Sequence, residues 1–234
     1  MVQRGRFQVE SDGQRVTAEP TTGYLHVPGQ ETRFAHPAGG DVCTSITLPD
    51  GTLAAGIAAR TPTVRVDAQL ELAHRMLLRS HADPHFAAAE AVVKLLQLAI
   101  RRQPGESPAP GRYALAEQAR AAILEDEPGS FSLVALAELL QTSPAHLSRT
   151  FRHHTGISIS RYRNRVRISR ALQRIHDGET DLAGLAFTLG FSDQAHFTRA
   201  MRAEAAHSPG QVRALLSAER STPRRHGVRS LGGA

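Results

Sequence analysis

Residues 182–202 read LAGLAFTLGFSDQAHFTRAMR, two short apolar runs separated by a Gly-Phe-Ser-Asp break. Within each run, apolar residues recur at spacings of three and four, which is typical of amphipathic helices. Gly190 suits a tight turn between them, because glycine enters left-handed backbone conformations without a steric penalty. We expect Ser192 to cap the second helix, since serine is favoured at that position. The stretch therefore predicts two helices joined by a tight turn.

The same pattern occurs earlier in the chain. Residues 133–163 align with residues 182–213 at an offset of 49 in the first helix and 50 in the second, so one residue is added in the second turn. Ala137 and Ala186 permit a close crossing of two helices, and Ser143 is the expected cap in the first copy. Each copy therefore predicts a helix-turn-helix unit, one near residues 132–156 and the other near residues 181–206.

A longer helix is predicted between the two units. Residues 158–178 carry an apolar stripe at helical spacing, with Ser158 as the expected cap and Gly178 as the expected stop. About twenty helical residues span about 30 Å, and successive major grooves on one face of DNA lie about 34 Å apart. A linker helix of this length can hold two helices in adjacent grooves.

The second helix of each unit has one apolar and one polar face. In a helix-turn-helix, this helix enters the major groove with its N-terminal residues toward the base edges. The side chains predicted to face the core are Leu147 and Phe151 in the first unit and Phe197 and Met201 in the second. Those predicted to face DNA are Ser143, Ala145, Ser148, Arg149 and Arg152 in the first unit, and Gln194, Ala195, His196, Thr198 and Arg199 in the second.

Charge favours an acidic partner. The formal net charge is +6, and residues 105–234 carry 17 basic against 12 acidic side chains. No acid lies between Glu138 and Asp177, a stretch that holds eight arginines, so an internally salt-bridged helix is disfavoured and nucleic acid is favoured. Three of these arginines are expected to contact phosphates or to pack along the linker helix: Arg163, Arg165 and Arg167.

Residues 113–217 resemble the C-terminal DNA-binding domain of the AraC/XylS family of transcription regulators. The resemblance rests on residues 143–172 and 175–213, including a Gly-Phe turn, a Phe-x-Arg on the second recognition helix, and a Ser-Pro with an arginine after it. It implies a sequence-specific DNA-binding regulator whose two recognition helices read successive major grooves. The sequence departs from the family at three positions, where Met201, Ala206 and Val212 replace the common Phe, Gly and Tyr.

The front of the chain has a different composition. Turn signals separate short extended segments up to residue 66, after which the period becomes helical. The candidate strands are residues 6–10, 16–19, 24–27, 42–48, 53–58 and 63–66. The expected fold is α+β and mainly α. Its parts are an abbreviated β unit (1–66), a helical hairpin (67–102), a linker (103–112), an all-α double helix-turn-helix domain (113–217) and a disordered basic tail (218–234).

Residues 23–46 are similar to part of the cupin-like sensor domain of such regulators, where a following hairpin often dimerises. Helices with stripes as apolar as VVKLLQLAI need a cover, so we expect a homodimer held by the hairpin. Only about 66 residues precede the hairpin, so we expect a vestigial ligand pocket at most, and an effector is left open. The first hairpin helix is expected to use one apolar face, formed by Leu70, Ala73, Met76 and Leu77. The alternative is that the hairpin packs on the strands within one chain.

Other functional classes have little support. No phosphate-binding loop, nucleophile motif or metal-ligand spacing is present, so we expect no enzyme, no cofactor and no metal. His26 and His36 lack a His-x-His partner, and Cys43 is the only cysteine, which excludes an intrachain disulfide. No membrane span or signal peptide is found, so a cytoplasmic, nucleoid-associated protein is expected, with duplex DNA as partner and RNA polymerase left open. The remaining alternatives are a helical protein-interaction module that has lost DNA binding and a cupin-type enzyme with a helical appendage.

Overall fold

A computed structural model describes residues 1–11, 14–26, 29, 31–36, 39–47, 63–79, 87–100 and 113–218. The predicted linker at 103–112, the tail after residue 218 and the candidate strand at 53–58 lie outside the described residues. The strands are β1 Val2–Arg4, β2 Phe7–Ser11, β3 Gln14–Ala18, β4 Thr22–Tyr24, β5 Thr32–Ala35, β6 Val42–Cys43 and β7 Thr63–Arg65. The helices are α1 Ala68–Arg79, α2 Ala87–Ile100, α3 Tyr113–Leu124, α4 Leu133–Leu139, α5 Pro144–Thr155, α6 Ile159–Asp177, α7 Leu182–Thr188, α8 Gln194–Ala205 and α9 Pro209–Ala218.

The described strands form three small antiparallel sheets. Their orders are β1-β6, β3-β2-β5 and β4-β7. The β2-β3 hairpin pairs Phe7 with Ala18 through Ser11 with Gln14, so Val9 and Ala18 point into the same interior. The small antiparallel sheets lie in the N-terminal part of the chain, and the described part after residue 66 is helical. The fold is therefore α+β and mainly α, as predicted.

Several strand predictions were wrong in their bounds or missing. The candidate at 42–48 ends at residue 43, and the candidate at 24–27 is replaced by a strand at Thr22–Tyr24. Strands β1 and β5 were not predicted. Pairing decides all of these cases, because β1 and β5 are short and become strands through hydrogen bonds to β6 and β2, which no local pattern reveals.

Each of the helices α4 to α8 begins after a residue whose side chain accepts a backbone hydrogen bond from the first turn. Ser158 accepts a hydrogen bond from the Arg161 backbone N–H at 3.3 Å, and Gly178 ends α6 in the left-handed region at φ 110°. Both predictions for the linker helix are confirmed. The tight turns of the two units use equivalent residues, Gln141 at φ 51° and Gly190 at φ 74°, and only glycine adopts that conformation without a penalty from a Cβ atom.

The linker helix α6 belongs to both helix-turn-helix units. Its first half packs with α3, α4 and α5, and its second half packs with α7, α8 and α9. The first-unit core contains Ala116, Ala119, Ala122, Ile123, Leu136, Ala137, Leu147, Phe151, Ile159, Tyr162 and Val166. The second-unit core contains Ala68, Leu72, Ile168, Ala171, Leu172, Ile175, Leu185, Ala186, Phe191, Phe197, Met201, Ala205, Val212 and Leu216.

Helix α1 packs on two sides, which corrects the single apolar face predicted for it. Leu70 is buried beside Val64 and Val66 of the front unit, together with the second hairpin helix. Ala68 and Leu72 are instead buried in the second-unit core, where Met76 also packs. The first hairpin helix is therefore sandwiched inside the chain between the β unit and the helix-turn-helix region.

Two buried polar clusters join the front unit to the helices behind it. In the Glu19 cluster, the Glu19 carboxylate accepts from the Arg120 guanidinium at 2.5 Å, from the Tyr162 hydroxyl at 2.8 Å, and from Thr21. Glu117 pairs with the same arginine at 2.6 Å. Burial and the charge of Glu19 raise the pKa of Tyr162 well above its ordinary value.

The Glu71 cluster connects α1 to the linker helix. The Glu71 carboxylate accepts from Arg75 on its own helix at 2.5 Å and from the Ser169 hydroxyl of α6 at 3.0 Å. Arg75 is 2% exposed and donates further to the Gln173 side-chain oxygen at 2.8 Å. Because buried charges are tolerated only when paired, the Glu19 cluster fixes the β unit against α6 and the Glu71 cluster fixes α1 against the same helix.

Candidate nucleic-acid interface

Helix α5 carries the first predicted DNA-facing set. Leu147 and Phe151 are fully buried, as predicted, so the opposite side of the helix faces outward. Ala145, Arg149 and Arg152 are exposed, and Ser148 is half-buried. Ser143 is exposed but acts as the helix cap, accepting from the His146 backbone N–H at 3.2 Å. The Ser143 hydroxyl oxygen therefore already accepts a hydrogen bond from its own helix.

Helix α8 carries the second set in the same arrangement. Phe197 and Met201 are fully buried, while Gln194, Ala195 and Arg199 are exposed. Thr198 and His196 are half-buried. An open depression of about 450 Å³ runs along this surface, lined by Gln194, Ala195, Thr198, Arg199 and Arg202.

The cap of α8 is Asp193, not Ser192 as the sequence predicted. The Asp193 carboxylate accepts from the His196 backbone N–H at 2.6 Å, and that hydrogen bond, assisted by the Ser192 hydroxyl, lowers the pKa of Asp193. Two adjacent residues of capping type made the assignment ambiguous, and the residue inserted in this turn moves the cap by one position. The His196 ring stands perpendicular to Phe191 at 5.3 Å between centroids, which holds its orientation.

Four arginines project from the two recognition helices. Among the described residues, their side chains form no ion pair and no hydrogen bond, and all four are exposed. They are Arg149, Arg152, Arg199 and Arg202. Exposed guanidinium groups that form neither an ion pair nor a hydrogen bond are able to bind phosphates or guanine edges.

The arginines of the linker helix have mostly structural contacts. Arg165 is buried, Arg163 donates to the Ser130 backbone oxygen at 2.6 Å, and the Arg167 guanidinium lies 5.8 Å from the centre of the Phe191 ring. Of the two roles left open for these three, the structure favours packing along the helix. Arg213 donates to the Thr180 backbone oxygen at 3.0 Å, repeating in the second unit the contact of Arg163.

Arg202 is an exposed arginine of this surface that the sequence prediction omitted. It lies 50 positions after Arg152 and is exposed beside Arg199 on the same face of α8. The repeat offset alone was sufficient to find it. His146 was also omitted, although it is exposed one residue after Ala145 in the first turn of α5.

Comparison with known families agrees with this geometry. Residues 136–215 match the family described as a helix-turn-helix domain, a range that begins in α4 and ends in α9. Residues 136–215 are a helix-turn-helix domain of the AraC type. The AraC-type domain thus includes both recognition helices and the whole linker helix.

Curated relatives align mainly through the AraC-type domain. The chain is 33% identical over 79 residues to the HTH-type transcriptional activator RhaS of Escherichia fergusonii, covering 34% of this chain and 28% of the relative. It is 26% identical over 138 residues to RhaS of Pectobacterium carotovorum subsp. carotovorum, covering 58% and 50%. The chain therefore spans between about a quarter and a half of the length of these relatives.

Among solved structures, the chain is similar to the C-terminal domain of AraT, a response regulator from Geobacillus stearothermophilus. The identity is 23%, the alignment covers 52% of this chain and 98% of that one, and the TM-score is 0.42. Among the described residues of this protein, no helix is both long and apolar enough to cross a membrane.

Proposed function

We propose that the protein is a transcription regulator that binds specific duplex DNA sequences through α5 and α8. The observation that carries this proposal is the pair of exposed recognition-helix faces, with four exposed arginines that form no ion pair and no hydrogen bond among the described residues. A helix-turn-helix presents the N-terminal turns of its second helix to base edges, and the exposed side chains of α5 and α8 lie in those turns.

The linker helix supports reading of two successive grooves. Helix α6 has 19 residues, which corresponds to about 28 Å, and its halves belong to the two unit cores. That length is close to the spacing of about 34 Å between major grooves on one face of DNA. The proposed binding site therefore has two halves, about ten base pairs apart.

The proposed division of the chain follows the earlier expectation. The front β unit and the hairpin form a sensor-like half, and residues 113–217 form the DNA-binding half. The Glu19 and Glu71 clusters support a fixed contact between the halves, because each inserts a carboxylate of the front half against α6. Neither an interaction module without DNA binding nor a cupin-type enzyme has a specific observation in its favour.

The test is a titration of the whole chain with a duplex selected from a random pool, at increasing salt. Each arginine that neutralises a phosphate releases counterions, so affinity falls steeply and log-linearly with salt, by a slope of about 0.9 for each contact. Binding that does not depend on salt, or equal affinity for a scrambled duplex, would refute the proposal.

Two matched variants assign the halves. Arg149→Ala and Arg199→Ala are expected to relax sequence preference in different halves of the site, because the two arginines hold equivalent places on different recognition helices. The control is Arg174→Ala, an exposed arginine of α6 that pairs with Glu179 at 3.0 Å. Relaxation at the same base pairs by both variants would contradict reading of two grooves.

The proposed assembly is a homodimer through the outer face of α2. Val93 on this helix is 52% exposed, whereas α1 is already covered on both sides by its own chain. Sedimentation of the whole chain is expected to show a dimer, and Val93→Glu is expected to shift it to a monomer. A monomeric unmodified chain at micromolar concentration contradicts this assembly.

The proposed location is the cytoplasmic nucleoid, with RNA polymerase and a small effector as further candidate partners.

A further inference from the structure

The predicted DNA-facing positions of the two recognition helices carry nearly the same side chains, whereas outward positions nearer the C-terminal ends differ, as His153 and Ala203 do. At the offset of 50, four exposed or half-buried positions of α5 have the identical residue in α8, and a fifth keeps its hydroxyl group. The equivalent pairs are Ala145 and Ala195, His146 and His196, Ser148 and Thr198, Arg149 and Arg199, and Arg152 and Arg202.

The shared fold does not require this likeness. Core positions of the two units must agree because they pack alike, but exposed positions are free to differ. The exposed face of the first helix in each unit shows that freedom, since Glu138 corresponds to Phe187 and Leu139 to Thr188. Phe187 is 84% exposed, so no packing constraint explains the difference. The likeness is therefore concentrated on the surfaces that face DNA in the proposed function.

The two faces are also set at the same rotation about their helix axes. Leu147 and Phe151 anchor α5 in the first-unit core, and Phe197 and Met201 anchor α8 in the second, all at no measurable exposure. Both helices have twelve residues, and each cap accepts from the backbone N–H of the following histidine. Equivalent side chains therefore leave their helices in equivalent directions.

We propose that the two halves of the DNA site contain the same short base-pair motif. This inference rests on the proposed function, sequence-specific DNA binding, and specifies its ligand. Identical side chains at identical helical positions offer the same donors and methyl groups to the groove. The arginines are suited to guanine O6 and N7, and the alanine methyl group is suited to the methyl group of thymine.

A difference at the first residue of the two recognition helices predicts a difference between the two copies of the base-pair motif. The first residue of α5 is Pro144, which offers no side-chain hydrogen bond, while the first residue of α8 is Gln194. A glutamine amide pairs with adenine N6 and N7. The half read by α8 is therefore expected to have one additional preference, for adenine, at the edge of its motif.

The experiment is selection of bound duplexes from a random pool by the whole chain and by three variants. The expected consensus contains two copies of one motif of about three to five base pairs, on either strand, with centres about 10 base pairs apart. Arg149→Ala is expected to reduce the preference for guanine over other bases in one copy of the motif, and Arg199→Ala the preference in the other copy. Each reduction in relative affinity is expected to be about 5- to 150-fold. Gln194→Ala is expected to remove only the additional adenine.

The outcomes separate this inference from the proposed function. An enriched site whose two halves are unrelated in sequence overturns the inference and leaves DNA binding intact. The absence of any enriched sequence overturns the proposed function itself. Arg174→Ala, selected in parallel, is expected to return the unmodified consensus, and unchanged far-UV circular dichroism is the check that each variant is folded.

Discussion

Replacing Glu19 by glutamine tests whether the front unit is held on the DNA-binding half by buried charge. Glu19 is 1% exposed and accepts hydrogen bonds from Arg120 and Tyr162, which lie about one hundred residues or more further along the chain. Glutamine keeps the shape of the side chain but removes the charge, so the buried guanidinium loses one of its two carboxylate partners. The other, Glu117, remains at 2.6 Å.

The expected loss is about 3 kcal/mol in the free energy of unfolding. Breaking a buried ion pair by removing one partner costs about 3 to 5 kcal/mol, and the remaining carboxylate of Glu117 places this case at the lower end. Burial alone lowers the pKa of Arg120, but the charges of Glu19 and Glu117 more than compensate and raise it. For a chain of 234 residues, such a loss corresponds to a decrease in Tm of about 6 to 12 °C.

The assay is urea denaturation followed by far-UV circular dichroism. The matched control is Glu10→Gln, which breaks an exposed pair with Arg15 at 3.1 Å and is expected to cost less than about 1 kcal/mol. Tyr162→Phe removes one hydrogen bond to the same carboxylate, so the double variant with Glu19→Gln is expected to lose less than the sum of the single losses. A loss for Glu19→Gln no larger than that of the control would refute the reasoning.

Three further predictions concern the helical region and α1. Ala206→Gly is expected to stabilise the protein by about 1 kcal/mol, because Ala206 ends α8 in the left-handed region at φ 60°, which glycine adopts without a penalty from a Cβ atom. The equivalent residue of the first unit is already a glycine, Gly156. Denaturation measures the change, and a loss of stability would contradict the prediction. Burial first, and then nearby positive charge, lowers the pKa of His74 from 6.5 to about 4, so the unfolded chain binds the proton more readily. Stability is therefore expected to fall by about 2 to 3 kcal/mol as pH drops from 6.5 to 4, and His74→Leu should remove this slope in denaturation at several pH values; an unchanged slope contradicts the assignment. Phe197→Ala is expected to cost about 3 to 5 kcal/mol and to abolish binding to the selected duplex in a gel-shift assay, whereas full binding would exclude α8 as a recognition helix.

The helical half was predictable because its signals are local. Caps such as Ser158, turn residues such as Gly190 and apolar spacings of three and four each act within one or two turns. The repeat then confirmed which side chains point inward, since Leu147 and Phe197 are both fully buried. The candidate DNA-facing residues were the outward side chains left once the inward ones were assigned, and all ten of them are exposed or half-buried in the structure.

The front half was less predictable because its contacts are distant in sequence. Nothing near Glu19 indicates a partner 101 residues away, and nothing in α1 shows that Leu72 belongs to the second-unit core. Strand bounds had the same difficulty, because β5 exists only through its pairing with β2. The polar residues that join the halves look like ordinary surface charges until the chain is folded.

The linker helix has a consequence for the DNA that the protein can accept. A single unbroken helix shared by two cores offers no hinge, so the separation and the relative rotation of the recognition helices are fixed together. One base pair inserted between the halves of a site moves them apart by about 3.4 Å and turns one about 35° around the duplex. The protein cannot follow that change by bending, so the duplex must untwist or one recognition helix must leave its groove. Sites in a genome should therefore tolerate substitutions within a half far better than a change in the number of base pairs between the halves.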